Sequence, residues 1–141
     1  MRSSYAARAG LFALLAVTGA TGAEAGDKPA LTAAQAGQHY GLVRAAAEFC
    51  PGGIITEKGK AFAAPYDSGP DAATFKAEAD KIVEAWRIGT RCVEGEMDRT
   101  QLSMCTSMHL KNCRAAWAQM GPTGSVLPGL IDVSATPEKK P

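Results

Sequence analysis

What this chain of 141 residues lacks first is an excess of charge of either sign: 15 basic side chains stand against 14 acidic ones. Nucleic acids and anionic membrane surfaces both select for a basic excess, so neither is expected as a partner. Aromatic residues are also scarce, at 6%, which leaves a core to be built largely from small and aliphatic side chains. No P-loop, G-x-G-x-x-G or G-x-S-x-G occurs, so the sequence offers no phosphate cradle, dinucleotide fingerprint or nucleophile elbow. C-x-x-C and C-x-x-C-H are missing as well, which removes the usual dithiol redox pair and covalent haem attachment. Ser, His and Asp are present without forming a recognisable catalytic set. No catalytic residue is therefore assigned, no cofactor is called for, and a non-enzyme is expected.

Long apolar runs are confined to the N-terminus. Arg2 and Arg8 precede an uncharged stretch from Ala9 to Ala23, centred on Leu11, Phe12, Leu14, Leu15 and Val17 and running into Ala23-Glu24-Ala25. A basic start, a short apolar segment and a small-x-small site make a secretory signal peptide over residues 1–25, cut after Ala25. The apolar run is shorter than the ~20 residues a spanning helix needs, so no stable membrane insertion is expected after cleavage. Removing these residues takes Arg2, Arg8 and Glu24, so 15 basic and 14 acidic side chains become 13 and 13.

Three stretches carry helical patterning. Thr32 and Gln35 have capping-box spacing, and Tyr40, Val43, Ala47 and Cys50 then fall on one face before Pro51-Gly52-Gly53 stops the helix. A second helix runs from about Pro70 to Ile88, with Phe75, Ala79, Ile82 and Trp86 as its apolar stripe and Lys76, Glu78, Asp80, Lys81 and Glu84 as a solvated face. A third begins after Asp98, which caps with Gln101, and continues to Met120 before Gly121-Pro122. Trp86 lies on its stripe and reads as core, while Trp117 sits one position off its own. Gly52 to Gly69 is long for a connection and contains Ile54, Ile55, Phe62 and Tyr66, so it is either a packed loop with a short helix of its own or a binding loop. Val126, Leu127, Leu130 and Ile131 mark an extended arm that docks on the helices, and the polar residues 132–141 are expected to be disordered. The fold class that follows is all-α: a small three-helix, up-down-up bundle over residues 26–131, stapled by two disulfides and completed by the extended C-terminal arm.

All four cysteines, Cys50, Cys92, Cys105 and Cys113, lie beyond the signal peptide. An even number in an exported chain reads first as two disulfides. Cys105 and Cys113 are eight residues apart on one expected helix, about 12 Å at ~1.5 Å per residue, and a disulfide needs less than ~7 Å between Cα atoms. Each must therefore reach another segment. In an up-down-up bundle Cys50 comes close to Cys113 and Cys92 to Cys105, with Cys50–Cys105 and Cys92–Cys113 as the alternative.

The same helix contains C-x3-H-x3-C and a set of methionines. Met104, Met108 and His109 form a thioether and imidazole set suited to soft metal such as Cu(I). The blander account has the methionines filling irregular gaps in an Ala-rich core and His109 packed between helices with one hydrogen bond, and that account is preferred. His39 has no partner identifiable from sequence. The expectation that results is a periplasmic or secreted protein that binds another envelope or secreted protein as an accessory or chaperone-like module. A copper carrier is the alternative, and an enzyme without a recognisable motif the remote one.

Overall fold

The computed structural model describes residues 30–133, so the signal peptide expected over 1–25 and the tail from 134 onward lie outside the described residues. Six elements follow in order: α1 (Ala33–Phe49), β1 (Gly53–Ile55), α2 (Glu57–Ala63), α3 (Ala72–Gly89), α4 (Arg99–Met120) and β2 (Ile131–Val133). The chain is mostly helical but not all-α, because β1 and β2 form a small antiparallel sheet that pairs Gly53 with Val133 and Ile55 with Ile131. Among the described residues no helix is long and apolar enough to cross a membrane.

The helices begin where side chains can satisfy their free amide groups. The Thr32 hydroxyl accepts from the Gln35 backbone N–H while the Gln35 side chain accepts from Thr32 N–H, closing a capping box at α1. Asp98 and Gln101 do the same for α4. Thr56 caps α2, the short helix inside the Gly52–Gly69 connection, by accepting from Gly59 N–H. Pro70 stands ahead of α3, whose N-cap is Asp71.

The order of the helices in space departs from an up-down-up bundle. Positions that meet rise together along α1 and α3: Gly37 lies on Phe75, Gly41 on Ala79, Arg44 pairs with Asp80 at 2.6 Å, and Glu48 meets Arg87 at 3.3 Å. These two helices therefore run parallel. The reason is the connection between them, where β1 and α2 carry the chain back along α1 and set Ala63 against Ala36 before α3 starts. Small residues let the pair approach closely. A methyl group at Gly41 would stand 2.7 Å from the Ala79 carbonyl oxygen, and one at Gly37 would collide with that of Phe75. The ion pairs along this contact are largely exposed and contribute about a few tenths of a kcal/mol each; backbone fit and the burial of Ala36, Phe75, Ala79 and Val83 hold the helices together.

Helix α4 is not laid along α3. Its last turns enter a core made of Val43, Ala46, Cys50, Cys113, Ala116, Met120, Leu130 and Ile131, while Arg99 to Asn112 includes no buried residue. The four carbonyls that end α4 are all satisfied by the arm that follows: Gly121 N–H donates to Trp117, Ser125 N–H to Ala118, Val126 and Leu127 N–H to Gln119, and Leu130 N–H to Met120. The arm then buries Leu130 and Ile131, half-buries Leu127 and leaves Val126 exposed. Asp132 and Val133, expected in the disordered tail, instead belong to β2, because β1 offers them a pairing edge. Thr56 Oγ1 donates to Gly129 O at 2.6 Å and Lys58 Nζ to Pro128 O at 2.6 Å, fastening the arm to α2.

The close contact of α1 and α3 makes a test. In an exposed helix interior, Gly→Ala stabilises by about 1 kcal/mol. Gly41→Ala is expected to do the reverse, lowering stability by about 1–3 kcal/mol through overpacking against backbone. Thermal and urea melts of the oxidised protein check this, and a rise in melting temperature would refute the packing described.

Candidate functional site

The two disulfides set the stage for any site on α4. Cys50–Cys113, with a Cα separation of 5.6 Å, ties the end of α1 to a point about two turns before the end of α4. Cys92–Cys105, at 5.7 Å, ties the loop after α3 to the first half of α4. Cys105 and Cys113 thus each reach a different segment. The first bond is buried, with Cys50 and Cys113 at 6% and 4% exposure, whereas Cys92 and Cys105 are only half-buried. Two disulfides point to an oxidising, extracytoplasmic environment.

The soft-metal set of α4 is split by the helix itself. Met104 and Met108 lie one turn apart and project into solvent, 60% and 61% exposed. His109 follows Met108 by one residue, which rotates it ~100° around the helix, and its Nε2 lies 3.9 Å from the Cys113 sulfur. Its Nδ1 is buried without a hydrogen-bond partner. Met104 and Met108 therefore fill no core gap, whereas Met120 does, and His109 packs inward with the Cys113 sulfur as its one polar contact. Among the described residues no three His, Cys, Asp or Glu side chains are grouped as a metal-ligand set. Half-buried Trp86 and Trp117 both pack against the main core. His39 lines a cavity of about 430 Å³ with Leu31, Phe62, Tyr66, Val126 and Leu127.

The outer face of α4 is distinctive in charge as well as in thioethers. The helix carries Arg99, Lys111 and Arg114, all exposed, and no acidic residue. At ~100° per residue, Met104, Met108, Lys111 and Ala115 share one stripe. Sequence patterning marked the opposite stripe, Leu102, Cys105, His109, Cys113 and Ala116, as the face that matters for packing. The outward methionines were visible in the same pattern as residues off that stripe.

A second site lies beside the α1–α3 contact. Tyr40, Arg44, Asp67, Phe75, Lys76 and Asp80, with Ala72, Ala73, Ala79 and Ile55, line a cleft of about 620 Å³. Its aromatic floor is fixed by stacking, since the Phe75 ring lies between those of Tyr40 and Tyr66 at centroid distances of 5.5 and 5.3 Å. Tyr66 is held from behind, its hydroxyl donating to Leu31 O at 3.2 Å. Burial pushes the Tyr40 phenol above its ordinary 10.0; the Asp67 carboxylate adds to this, and the charges of Arg44 and Lys60 oppose it. Neither Asp67 nor Lys76 is identifiable as a site residue from sequence, because one sits in a turn and the other on a face that reads as solvated.

No known protein family, curated protein or solved structure matches this chain.

Two measurements check these features. With graded reductant and alkylation, Cys92 and Cys105 are expected to be labelled before Cys50 and Cys113, because attack on a disulfide requires access to sulfur; the opposite order would contradict the burial described. For Tyr40, a folded-state pKa above the unfolded one favours the neutral phenol. Its contribution to stability is whole below pH 10.0 and is lost as pH rises through the raised folded value. Ultraviolet titration should show a late phenolate transition that Tyr40→Phe removes, and an ordinary transition assigned to Tyr40 would refute it.

Proposed function

We propose that this protein is a non-enzymatic module, periplasmic or secreted, that binds another envelope or secreted protein as an accessory or chaperone-like subunit. The observation that carries the reading is the free half of α4. The 22 residues of α4 span about 33 Å at ~1.5 Å each, yet only the last turns contribute to the core. A helix needs tertiary packing of one face for most of its stability in water. Here the first half is held by the Cys92–Cys105 bond and its capping box, which leaves the Met104–Met108 stripe open.

Rigid presentation favours binding, because the helix does not have to be ordered when the partner arrives. Methionine suits such a surface, since its flexible thioether side chain adapts to irregular apolar shapes. The charge of the helix narrows the partner further. With Lys111 on the stripe, Arg114 beside it and no acidic residue on the helix, the complementary surface is an apolar patch bordered by carboxylates. Export of the chain, expected from residues 1–25, and the two disulfides support an extracytoplasmic place for this encounter.

A photo-crosslinking residue at position 108 tests the reading in the native compartment. It is expected to give a discrete adduct with one protein whose contacting peptide is acidic. That adduct should be lost on Met104→Asp and should weaken as salt rises. The same probe at position 84 on α3 should give none. Because Met104 is exposed, Met104→Asp should leave the melting temperature unchanged. If the two positions give the same adducts, α4 is not the binding surface.

A further inference from the structure

The cleft between α1 and α3 plays no part in the protein-binding reading, and its chemistry points elsewhere. Its volume of about 620 Å³ falls in the range of small-ligand sites, roughly 300–1,000 Å³. Space exists there because the wall residues Ala72, Ala73 and Ala79 end in methyl groups. At the floor the half-buried Tyr40 offers ring surface, and its stack on the buried Phe75, itself backed by Tyr66, keeps that ring in place. At one end the Arg44–Asp80 ion pair closes the rim and neutralises itself.

Two charged groups in the lining are not used in this way. Asp67 and Lys76 pair neither with each other nor, among the described residues, with any other side chain. The cleft thus offers one acceptor of an ammonium group and one donor to a carboxylate, beside an apolar floor. The Asp67 charge is felt at the Tyr40 phenol, which places the acidic partner close to the aromatic surface. We propose that this cleft binds a small apolar zwitterion of the α-amino-acid type, with its ammonium on Asp67, its carboxylate on Lys76 and its side chain against Tyr40, Ala72 and Ala73. An ion with only one charge would leave the other lining group unmatched. A strongly polar ligand would leave the aromatic floor unused.

Amide chemical-shift titration of the whole disulfide-bonded protein tests this with three probes: L-leucine, isoamylamine, which has the amine without the carboxylate, and 4-methylpentanoate, which has the carboxylate without the amine. Leucine is expected to move the amides of Tyr40, Asp67, Phe75, Lys76 and Ala79 saturably, and each half-molecule to bind about tenfold or more weakly. Asp67→Asn should weaken leucine and isoamylamine about tenfold and leave 4-methylpentanoate unaffected, and Lys76→Gln should weaken leucine and 4-methylpentanoate but not the amine. Both side chains are exposed, so an unchanged circular dichroism melt will show that each variant is folded. Leucine without saturable shifts in the cleft, or either half-molecule binding as well as leucine, would overturn the proposal. Neither result bears on α4, so the two readings stand or fall separately.

Discussion

The Cys50–Cys113 bond is the constraint on which the rest of the architecture depends. It lies where the end of α1, the last turns of α4 and strand β2 converge, among Val43, Ala46, Ala116, Met120, Leu130 and Ile131. Because α4 is not laid along α3, few side chains other than these hold it to the remainder of the domain. The bond spans a sequence separation of 63, and on the chain-entropy account closing such a loop stabilises by about 4 kcal/mol. Small domains have a net stability of roughly 5–15 kcal/mol. One covalent link therefore accounts for a large share of what keeps the end of α4 in place, the hydrogen bonds of the arm add to it, and Cys92–Cys105 holds the first half.

A second constraint acts at the other contact of α1. Gly37 and Gly41 bring it onto the backbone of α3, and no side chain larger than hydrogen fits at either position. Helix α1 is consequently buried on two sides, by α3 through its glycines and by the sheet and α4 through Val43, Ala46 and Cys50. The close approach has a consequence for shape. Where two backbones meet without side chains between them, larger neighbours such as Tyr40 and Phe75 are displaced to the flank, and the alanines of α3 leave room beside them.

Much of this was legible in the sequence wherever local rules decide. Thr32 with Gln35 and Asp98 with Gln101 mark helix starts because a capping box is a contact between near neighbours. The Gly52–Gly69 connection holds a short helix, one of the two readings that its length and apolar content left open. The rise of a helix was enough to forbid a Cys105–Cys113 bond. What failed was long-range. The bundle used to choose among the remaining cysteine pairings is not the one formed, since α1 and α3 run parallel. Nothing local announces the return of the chain through β1 and α2. Strands of three residues, Gly53–Ile55 and Ile131–Val133, carry too little alternation to be read, and each exists only because the other is there. Val83 escaped notice on α3 because Ile82 and Trp86 gave a more obvious stripe, yet Val83 is buried and those two are only half-buried. The lining of the cleft escaped too: Lys76 reads as part of a solvated face and Asp67 carries no pattern at all until the fold brings them to one cavity.

The two sites lie on different elements, the cleft on α1 and α3 and the Met104–Met108 stripe on α4, and that placement limits what one can tell the other. A partner on the free half of α4 touches a helix fixed by Cys92–Cys105 to the loop after α3 and by Cys50–Cys113 to the end of α1. A ligand in the cleft touches Tyr40 and Arg44 on α1 and Phe75 and Lys76 on α3. Coupling between sites requires an element with two arrangements that both ligands bias. The two regions are linked by the disulfides, which run from α4 to the end of α1 and to the loop after α3, and the glycine contact gives α1 and α3 one closely fitted position against each other. Sliding would drive the Phe75 and Ala79 carbonyls against Cβ atoms on neighbouring turns. With α1 held this way, the physical expectation is two independent surfaces on one stapled frame, with no allosteric exchange between them.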